Sequence, residues 1–395
     1  MSNIIIIDRT NEYSPAGVHA RGTRILHHMK KRIGFDLSIL NRTDTGTTVY
    51  ARKLFQSLQE LEQEELEFIP LYAPKKLASK NPFIRPINFL LELSWLFLLL
   101  PVRARALHLD LIHLPANTIS PVLRKIPQVC TIHDAHFMIN PEGRDPVWRF
   151  YARRIFRYSA KHAGRIICGS NSARKEAIEL LGADPDNIEV VYHGLVLRES
   201  AQADREQAAG LKPFILSVGA TLPNKNFEAL VKAYAKLYRE GRTGGHRLIL
   251  AGPPARGHQS LLETIASEQM EDHVSILGLV SDSLLAALYE NASIFAFPSL
   301  CEGFGFPPLE AMHYGIPVAA SYAPSIPEIL GDAPVYFNPR DISEMAENIG
   351  MIISDHRLRD KLKQAGLARV KMFSWKESAR KTMSIYRCLL GHHSA

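Results

Sequence analysis

Short apolar runs rich in β-branched residues alternate with amphipathic stretches along most of the chain, the pattern of parallel α/β architecture. In the first half, FDLSIL (35–40) predicts a strand, NRTDTGTT a loop and VYARKLFQSLQEL (49–61) a helix. EFIPLY, LDLIHLP and QVCTIHD read as buried strands. GRIICGS (164–170) leads into a helix through Asn171 and Ser172, and IEVVYHG (188–194) closes the half. Residues 198–212, RESAQADREQAAGLK, are polar without strand signals and read as a linker. The alternation then restarts. PFILSVGA (213–220) leads into a helix from about Asn226, followed by HRLILAGP (246–253), a helix over 259–270 and VSILGLV (274–280). The helix DSLLAALYENA precedes the strands IFAFPS and PVAAS. The expectation is an α/β chain of two Rossmann-like domains, 29–197 and 213–372, facing a central cleft.

Composition agrees with that expectation. A chain of 395 residues exceeds one ordinary core. With 46% hydrophobic and 22% charged residues and a mean hydropathy of −0.07, it has the make-up of a soluble globular protein. A net charge of +7 favours anionic partners without choosing among phosphorylated substrates, membranes and nucleic acid. Cys130, Cys168, Cys301 and Cys388 are scattered with no CxxC pair, which argues against a disulfide framework or zinc ribbon and suits a reducing cytoplasm. The apolar run of MSNIIIIDRT stops at Asp8, so a secretory signal is not expected.

Two segments stand apart. Ile87–Val102, INFLLELSWLFLLLPV, falls short of the roughly 20 residues of a spanning helix and reads first as a buried or partly buried helix. An interfacial membrane contact, helped by Arg103 and Arg105, is the second reading. PVWRFYARRIFRYSAKHAGR (146–165) interleaves Arg149, Arg153, Arg154, Arg157 and Lys161 with aromatics. It reads as an ordinary amphipathic helix or as a docking face for anionic lipid or a lipid-diphosphate acceptor. No nucleic-acid module accompanies it, so no nucleic-acid partner is expected.

Candidate chemistry concentrates on loops entering helices in the second half, where ligands of open parallel sheets bind. In SVGATLPNKNFEAL, Gly219 turns the chain off its strand and Lys225 precedes a helix start, which suits a diphosphate. A solvated surface lysine is the plainer alternative. PSLCEGFGFPPLEAMHYGIPVAAS sets Glu302 and Glu310 eight positions apart around Gly303 and Gly305, with Pro307 and Pro308 fitting a first helical turn. Gly303, Phe304 and Gly305 can present backbone N–H groups to a cleft. Glu310 is expected in the first helical turn, where it could accept from a ribose diol or merely complement the helix dipole. His133, in TIHD, could be a site residue or a structural partner of Asp134; with His136 it lacks the ligand cluster of a metal site, and none is expected.

EGFGFPPLEAM, YGIPVAAS and IPEILGDAPVYFNP resemble the C-terminal domain of the retaining glycosyltransferases of family 4, which have the GT-B fold. The resemblance runs on through SVGATLPNKN, LILAGP, LGLVSDSLLAALY, CTIHDAHFMINPE and GSNSARKEAI to the tail FSWKESARKTMSIYRCLL, from about Arg32 to Leu390. It implies that Glu302 contacts the transferred sugar, Glu310 the nucleotide ribose and Lys225 the leaving diphosphate. The amides of Gly303, Phe304, Gly305 and Phe306 would hold sugar and phosphate oxygens. Gly46 matches the first-domain loop near the phosphates, His133 the histidine beside the donor sugar, and Gly278, Leu279 and Val280 the border of the base. Residues 373–395 would return as a helix to the first, acceptor-side domain. Family members often carry arginine beside this lysine, where this chain has Asn224.

The resemblance therefore implies a metal-independent, cofactor-free retaining transferase on the cytoplasmic side of the plasma membrane. It would move a sugar, with GDP-mannose or a related GDP-sugar favoured, to a hydroxyl of a glycan or lipid-linked acceptor in surface-polysaccharide synthesis. A nucleotide-sugar epimerase of the same architecture and a non-catalytic nucleotide-sugar-binding protein are the rivals. No GxGxxG follows a strand and no GxxxxGK[ST] occurs, which disfavours a dehydrogenase and a P-loop kinase. Because Met29 opens MKKRIGFDLSIL like an ordinary start, residues 1–28 are expected to be an appendage, the alternative being an edge strand at NIIIID.

Overall fold

The computed structural model describes residues 30–41, 46–61, 65–75, 84–138 and 146–391. The expectations for residues 1–28 lie outside these described residues. The first half contributes β1 (Lys31–Asp36), β2 (Leu66–Leu71), β3 (Leu111–Leu114), β4 (Gln128–Ile132), β5 (Arg165–Cys168) and β6 (Ile188–Val190). They form one parallel sheet in the order β2-β1-β3-β4-β5-β6. Its helices are α1 (Gly46–Glu60), α2 (Ile84–Ser94), α3 (Leu100–Ala106), α4 (Pro146–His162) and α5 (Asn171–Leu181), with a π-helical turn at Trp95–Leu99 joining α2 to α3.

A second parallel sheet, ordered β12-β11-β10-β7-β8-β9, follows. Its strands are β7 (Phe214–Val218), β8 (Arg247–Ala251), β9 (Val274–Gly278), β10 (Ile294–Phe297), β11 (Val318–Ser321) and β12 (Val335–Phe337). The second-half helices are α6 (Gln202–Ala209), α7 (Phe227–Arg239), α8 (His258–Ser267), α9 (Asp282–Asn291) and α10 (Phe306–His313). They continue with α11 (Ile326–Leu330), α12 (Ile342–Ser354), α13 (His356–Arg369) and α14 (Trp375–Leu389). The central strands are buried throughout, as strands covered by helices on both faces must be. Two Rossmann-like layers result, each with its own core.

Three local expectations need correction. The first strand occupies Lys31–Asp36, not 35–40. Asp36 ends it by accepting hydrogen bonds from the Ser38 backbone N–H at 2.9 Å and hydroxyl at 3.0 Å, and Ser38–Asn41 winds into a 3-10 turn. The first helix begins at Gly46, earlier than 49. The supposed linker 198–212 contains α6, which packs on α9, with Ala201 N–H donating to Ser283 Oγ at 2.8 Å. Its Gln, Glu, Arg and Ala residues are good helix formers, and polarity alone did not reveal that.

The chain crosses between the sheets twice, and the two crossings are tied together. After β6 it passes through Gly194–Arg198; after α13 it returns to lay α14 on α1. Trp375 Nε1 donates to the Leu195 carbonyl at 2.8 Å where the crossings meet. Trp375, Ala379, Met383 and Tyr386 share a buried cluster with Phe35, Tyr50, Leu54 and Val129 of the first half. Beneath them the His113 ring contacts Tyr386 Oη at 2.6 Å and Thr131 Oγ1 at 2.7 Å. Burial pushes His113 down to about 3, so this network is held by a neutral imidazole.

Candidate active site

The carboxyl ends of β4 and β5 meet the loop that follows β10. His133 directly follows β4; its N–H donates to Asn117 Oδ1 and its Nε2 to the Pro115 carbonyl, both at 2.8 Å. The ring stands edge-on to Tyr50 at 4.9 Å and lies 5.9 Å from His193. Burial lowers its pKa, which keeps the imidazole neutral near pH 7. Its carbonyl packs on Gly303: a Cβ there would lie 2.5 Å from that oxygen, so only glycine permits this approach. Ser170, the N-cap of α5, donates its hydroxyl to the Gly303 carbonyl at 2.9 Å.

Further contacts hold the two halves against each other. Glu328 of α11 accepts from the backbone N–H groups of Asn171 and Ser172 at 2.7 and 3.1 Å, capping α5, and from Tyr192 Oη at 3.0 Å. Gly46, the first residue of α1, faces the Phe306 ring, which a Cβ would meet at 3.6 Å. His193 is buried between Tyr50, Phe304 and Phe306.

Lys225 and Glu302 come together. Lys225 Nζ lies 2.6 Å from Glu302 Oε1, with the side chains 16% and 13% exposed, and 5.7 Å from the Phe297 ring centroid. Gly219 lies beneath the lysine stem, where a Cβ would approach Lys225 Cδ at 3.4 Å. Asn224, in the place of the family's arginine, offers its carbonyl to Leu300 N–H at 2.8 Å and so joins the β7 loop to the β10 loop. Asn226, left-handed at φ 58°, donates its amide to the Pro298 and Pro339 carbonyls at 3.1 and 2.7 Å. Ser325, also at positive φ (72°), donates to the Glu302 carbonyl at 3.0 Å and fixes the loop from its far side.

Glu310 differs from its expectation. It lies in the second turn of α10, whose first turn is Phe306-Pro307-Pro308-Leu309 with no acidic residue, and it is 4% exposed. Gly305, at φ 104°, makes the reversal into the helix, and the two prolines fill positions whose N–H groups need no intrahelical partner. This delay of a turn removes Glu310 from the helix dipole's end. Its partners are Arg198 Nη1 at 2.7 Å on Oε1 and the Tyr289 hydroxyl at 3.0 Å on Oε2. Gly278, at φ 68°, ends β9, and Leu279, exposed, and Val280 follow it at the same end of the sheet.

Arg198, Tyr289, His193 and Ser325 were not singled out from the sequence. A signal existed for the first: a buried carboxylate demands a cation or several donors, so Glu310 implied an unnamed partner. His136 pairs with Glu176 at 3.1 Å and is pushed up to about 10 by Cys301 and Glu176, which occupies it structurally. Among the described residues no group of three or more His, Cys, Asp or Glu side chains gathers as a metal site.

Two parallel domains with glycine-loop chemistry at their apposed carboxyl ends define the GT-B class of glycosyltransferase. Residues 45–199 match the family model Glycosyltransferase Family 4, and residues 199–369 match Glycosyl transferases group 1. The chain belongs to this glycosyltransferase family. It is 30% identical over 268 residues to O-antigen chain mannosyltransferase B of Escherichia coli, covering 66% of this chain and 70% of that protein. It is 26% identical over 322 residues to O-antigen chain mannosyltransferase RfbU of Salmonella typhimurium, covering 78% and 86%. A solved structure of sucrose-phosphate synthase from Thermosynechococcus elongatus shares the fold with a TM-score of 0.70 at 20% identity, over 92% of this chain and 100% of that one.

Proposed function

We propose that this glycosyltransferase moves a sugar, with retention of anomeric configuration, from a nucleoside diphosphate to a hydroxyl of a glycan or lipid-linked acceptor. The observation that carries the reading is the junction of His133, Gly303 and the Lys225–Glu302 pair where the two halves meet. The mannosyltransferase relatives favour GDP-mannose as donor. In this reading Lys225 and the amides of Gly303, Phe304, Gly305 and Phe306 take the diphosphate and sugar oxygens. Glu302 orders the sugar hydroxyls, Glu310 the ribose diol, and Gly278, Leu279 and Val280 border the base. Gly46 and Gly219 give the phosphates room. His133, neutral, lines the sugar's face.

The bond from the anomeric carbon to the β-phosphate oxygen breaks, and its electron pair leaves with the diphosphate. The acceptor oxygen bonds the same face of that carbon, and its proton passes to the departing phosphate oxygen. Incubating the protein with GDP-mannose and other nucleotide sugars tests this. Nucleoside diphosphate release should rise with acceptor and match the sugar transferred; an epimerised donor formed without acceptor would overturn the reading in favour of an epimerase.

We propose as well that the first domain rests on an anionic membrane. Trp95, Leu96, Leu100 and Ala104 of the π turn and α3 belong to the core, while Leu90, Leu98 and Val102 are 62–64% exposed. The expectation that this segment falls short of a spanning length needs correction: the helical run continues past Val102, and Ile87–Ala106 has the length and apolarity to cross a membrane, yet one face is built into the domain, which favours lying in the interface. Phe89 and Tyr151 meet at 5.2 Å and join this face to α4, where exposed Val147 and Phe150 accompany Arg149 and Arg153. The protein should sediment with phosphatidylglycerol vesicles and be released by salt, since surface charges are screened beyond about 8 Å at physiological ionic strength. Binding indifferent to lipid charge and salt would contradict this.

A further inference from the structure

We propose that Arg198 is a positioning residue that sets the Glu310 carboxylate for a ribose diol and thereby makes the site selective for ribonucleotides over 2′-deoxyribonucleotides. The inference rests on the reading that Glu310 binds ribose, and it assigns a task to a residue of the crossing segment. An ionised carboxylate that is 4% exposed needs its charge balanced and its rotamer fixed before any ligand arrives. Arg198 Nη1 and the Tyr289 hydroxyl supply one hydrogen bond to each oxygen. A carboxylate has about four acceptor positions, so one remains on each oxygen. Two remaining acceptors on one carboxylate match the two O–H donors of a vicinal diol.

Arg198 is itself held through both its side chain and its backbone. Its Nε donates to Asp282 Oδ1 at 2.9 Å, and the Arg198 carbonyl accepts from the Tyr314 hydroxyl at 2.9 Å. Tyr314 stacks on Tyr289 with centroids 5.4 Å apart and planes 10° apart, so both donors to Glu310 belong to one packed unit. The planar fork lets one arginine address Asp282 through Nε and Glu310 through Nη1 together, which a lysine ammonium cannot do in fixed geometry. The permanent positive charge also offsets that of Glu310, so the carboxylate can accept from ribose without repelling the neighbouring diphosphate. Glu310 then discriminates by geometry: a diol satisfies both oxygens, whereas a 2′-deoxy sugar leaves one acceptor buried and unpaired.

The test is calorimetric titration of the full chain with GDP and UDP, each against its 2′-deoxy form. The wild-type protein should prefer the tighter-bound ribonucleotide by about 10-fold or more, as sites built to bond a hydroxyl reject analogues lacking it. Arg198→Ala should reduce the preference to within about 2-fold, mainly by weakening the ribonucleotide, and Arg198→Lys should give an intermediate ratio because it restores charge without the fork. A purely structural arginine would lower the melting temperature and leave the ratio intact. If Arg198→Ala does not fold, the Arg198→Lys ratio decides alone. A wild-type ratio in the folded arginine variants, with the ratio lost in Glu310→Gln, overturns the role of Arg198 and leaves the ribose reading standing. A wild-type ratio in Glu310→Gln, no discrimination by the wild-type protein, or no binding of either ribonucleotide overturns the ribose reading itself.

Discussion

The mouth of the glycine loop and the second turn of the helix behind it each hold a glutamate in an ion pair, and the two pairs are built differently. Glu302 is paired with Lys225, whose side chain and its own are 16% and 13% exposed, and both partners are proposed to touch substrate. Glu310 is 5% exposed in its side chain, and its partners Arg198 and Tyr289 come from the crossing segment and α9. In the proposed reading the first pair is two ligand-binding groups resting on each other, which a sugar diphosphate would have to separate. The second pair, in the same proposal, is a preset acceptor to which a ribose would add with the ion pair kept. Similar ion-pair distances, 2.6 and 2.7 Å, therefore mark opposite kinds of readiness.

The sharpest way to break this contrast is Glu302→Gln. Its turnover should fall by about 100–1000-fold, the usual loss when one preorganised polar group leaves a reacting centre. Affinity for free nucleoside diphosphate should hold or rise, because Lys225 is released from its partner. Steady-state kinetics beside calorimetry reads both; a nucleotide affinity that falls with turnover would dissolve the distinction. Lys225→Met should have the next largest effect. Losing a charged hydrogen bond of about 1.5–3 kcal/mol weakens diphosphate binding by about 10–100-fold and leaves nucleoside binding unchanged. Unchanged diphosphate affinity would mean that another cation carries the charge in place of both Lys225 and the arginine that Asn224 replaces.

The contrast also marks what a sequence can and cannot carry. Most strands were legible because each is a short apolar run closed by glycine, proline or a polar residue; the edge strand β12 was missed, since Val335–Phe337 is only three residues long. The β10 loop was legible as well, since Gly303, Gly305, Pro307 and Pro308 each have a backbone reason to be there. Strand ends were less secure: Asp36 folds back on Ser38, so an apolar pattern that continues to Leu40 belongs to a turn. Glu310 could be named but not placed, because the helix starts a turn before it and both prolines lie inside that turn. Its partner was invisible for another reason. Arg198 lies 112 positions away in a polar stretch, and pairing across such a separation depends on how the crossing segment docks. The exposed apolar face of α2 and α3 had the opposite difficulty: an apolar helix reads alike whether its outer face meets protein, water or lipid.

Calorimetric titration of nucleoside diphosphate into Glu302→Gln and Glu310→Gln, side by side, tests the division of labour most directly. Glu310→Gln should lose about 1–3 kcal/mol of nucleotide affinity, while Glu302→Gln should bind at least as tightly as the wild-type protein. Equal losses in the two variants would contradict it.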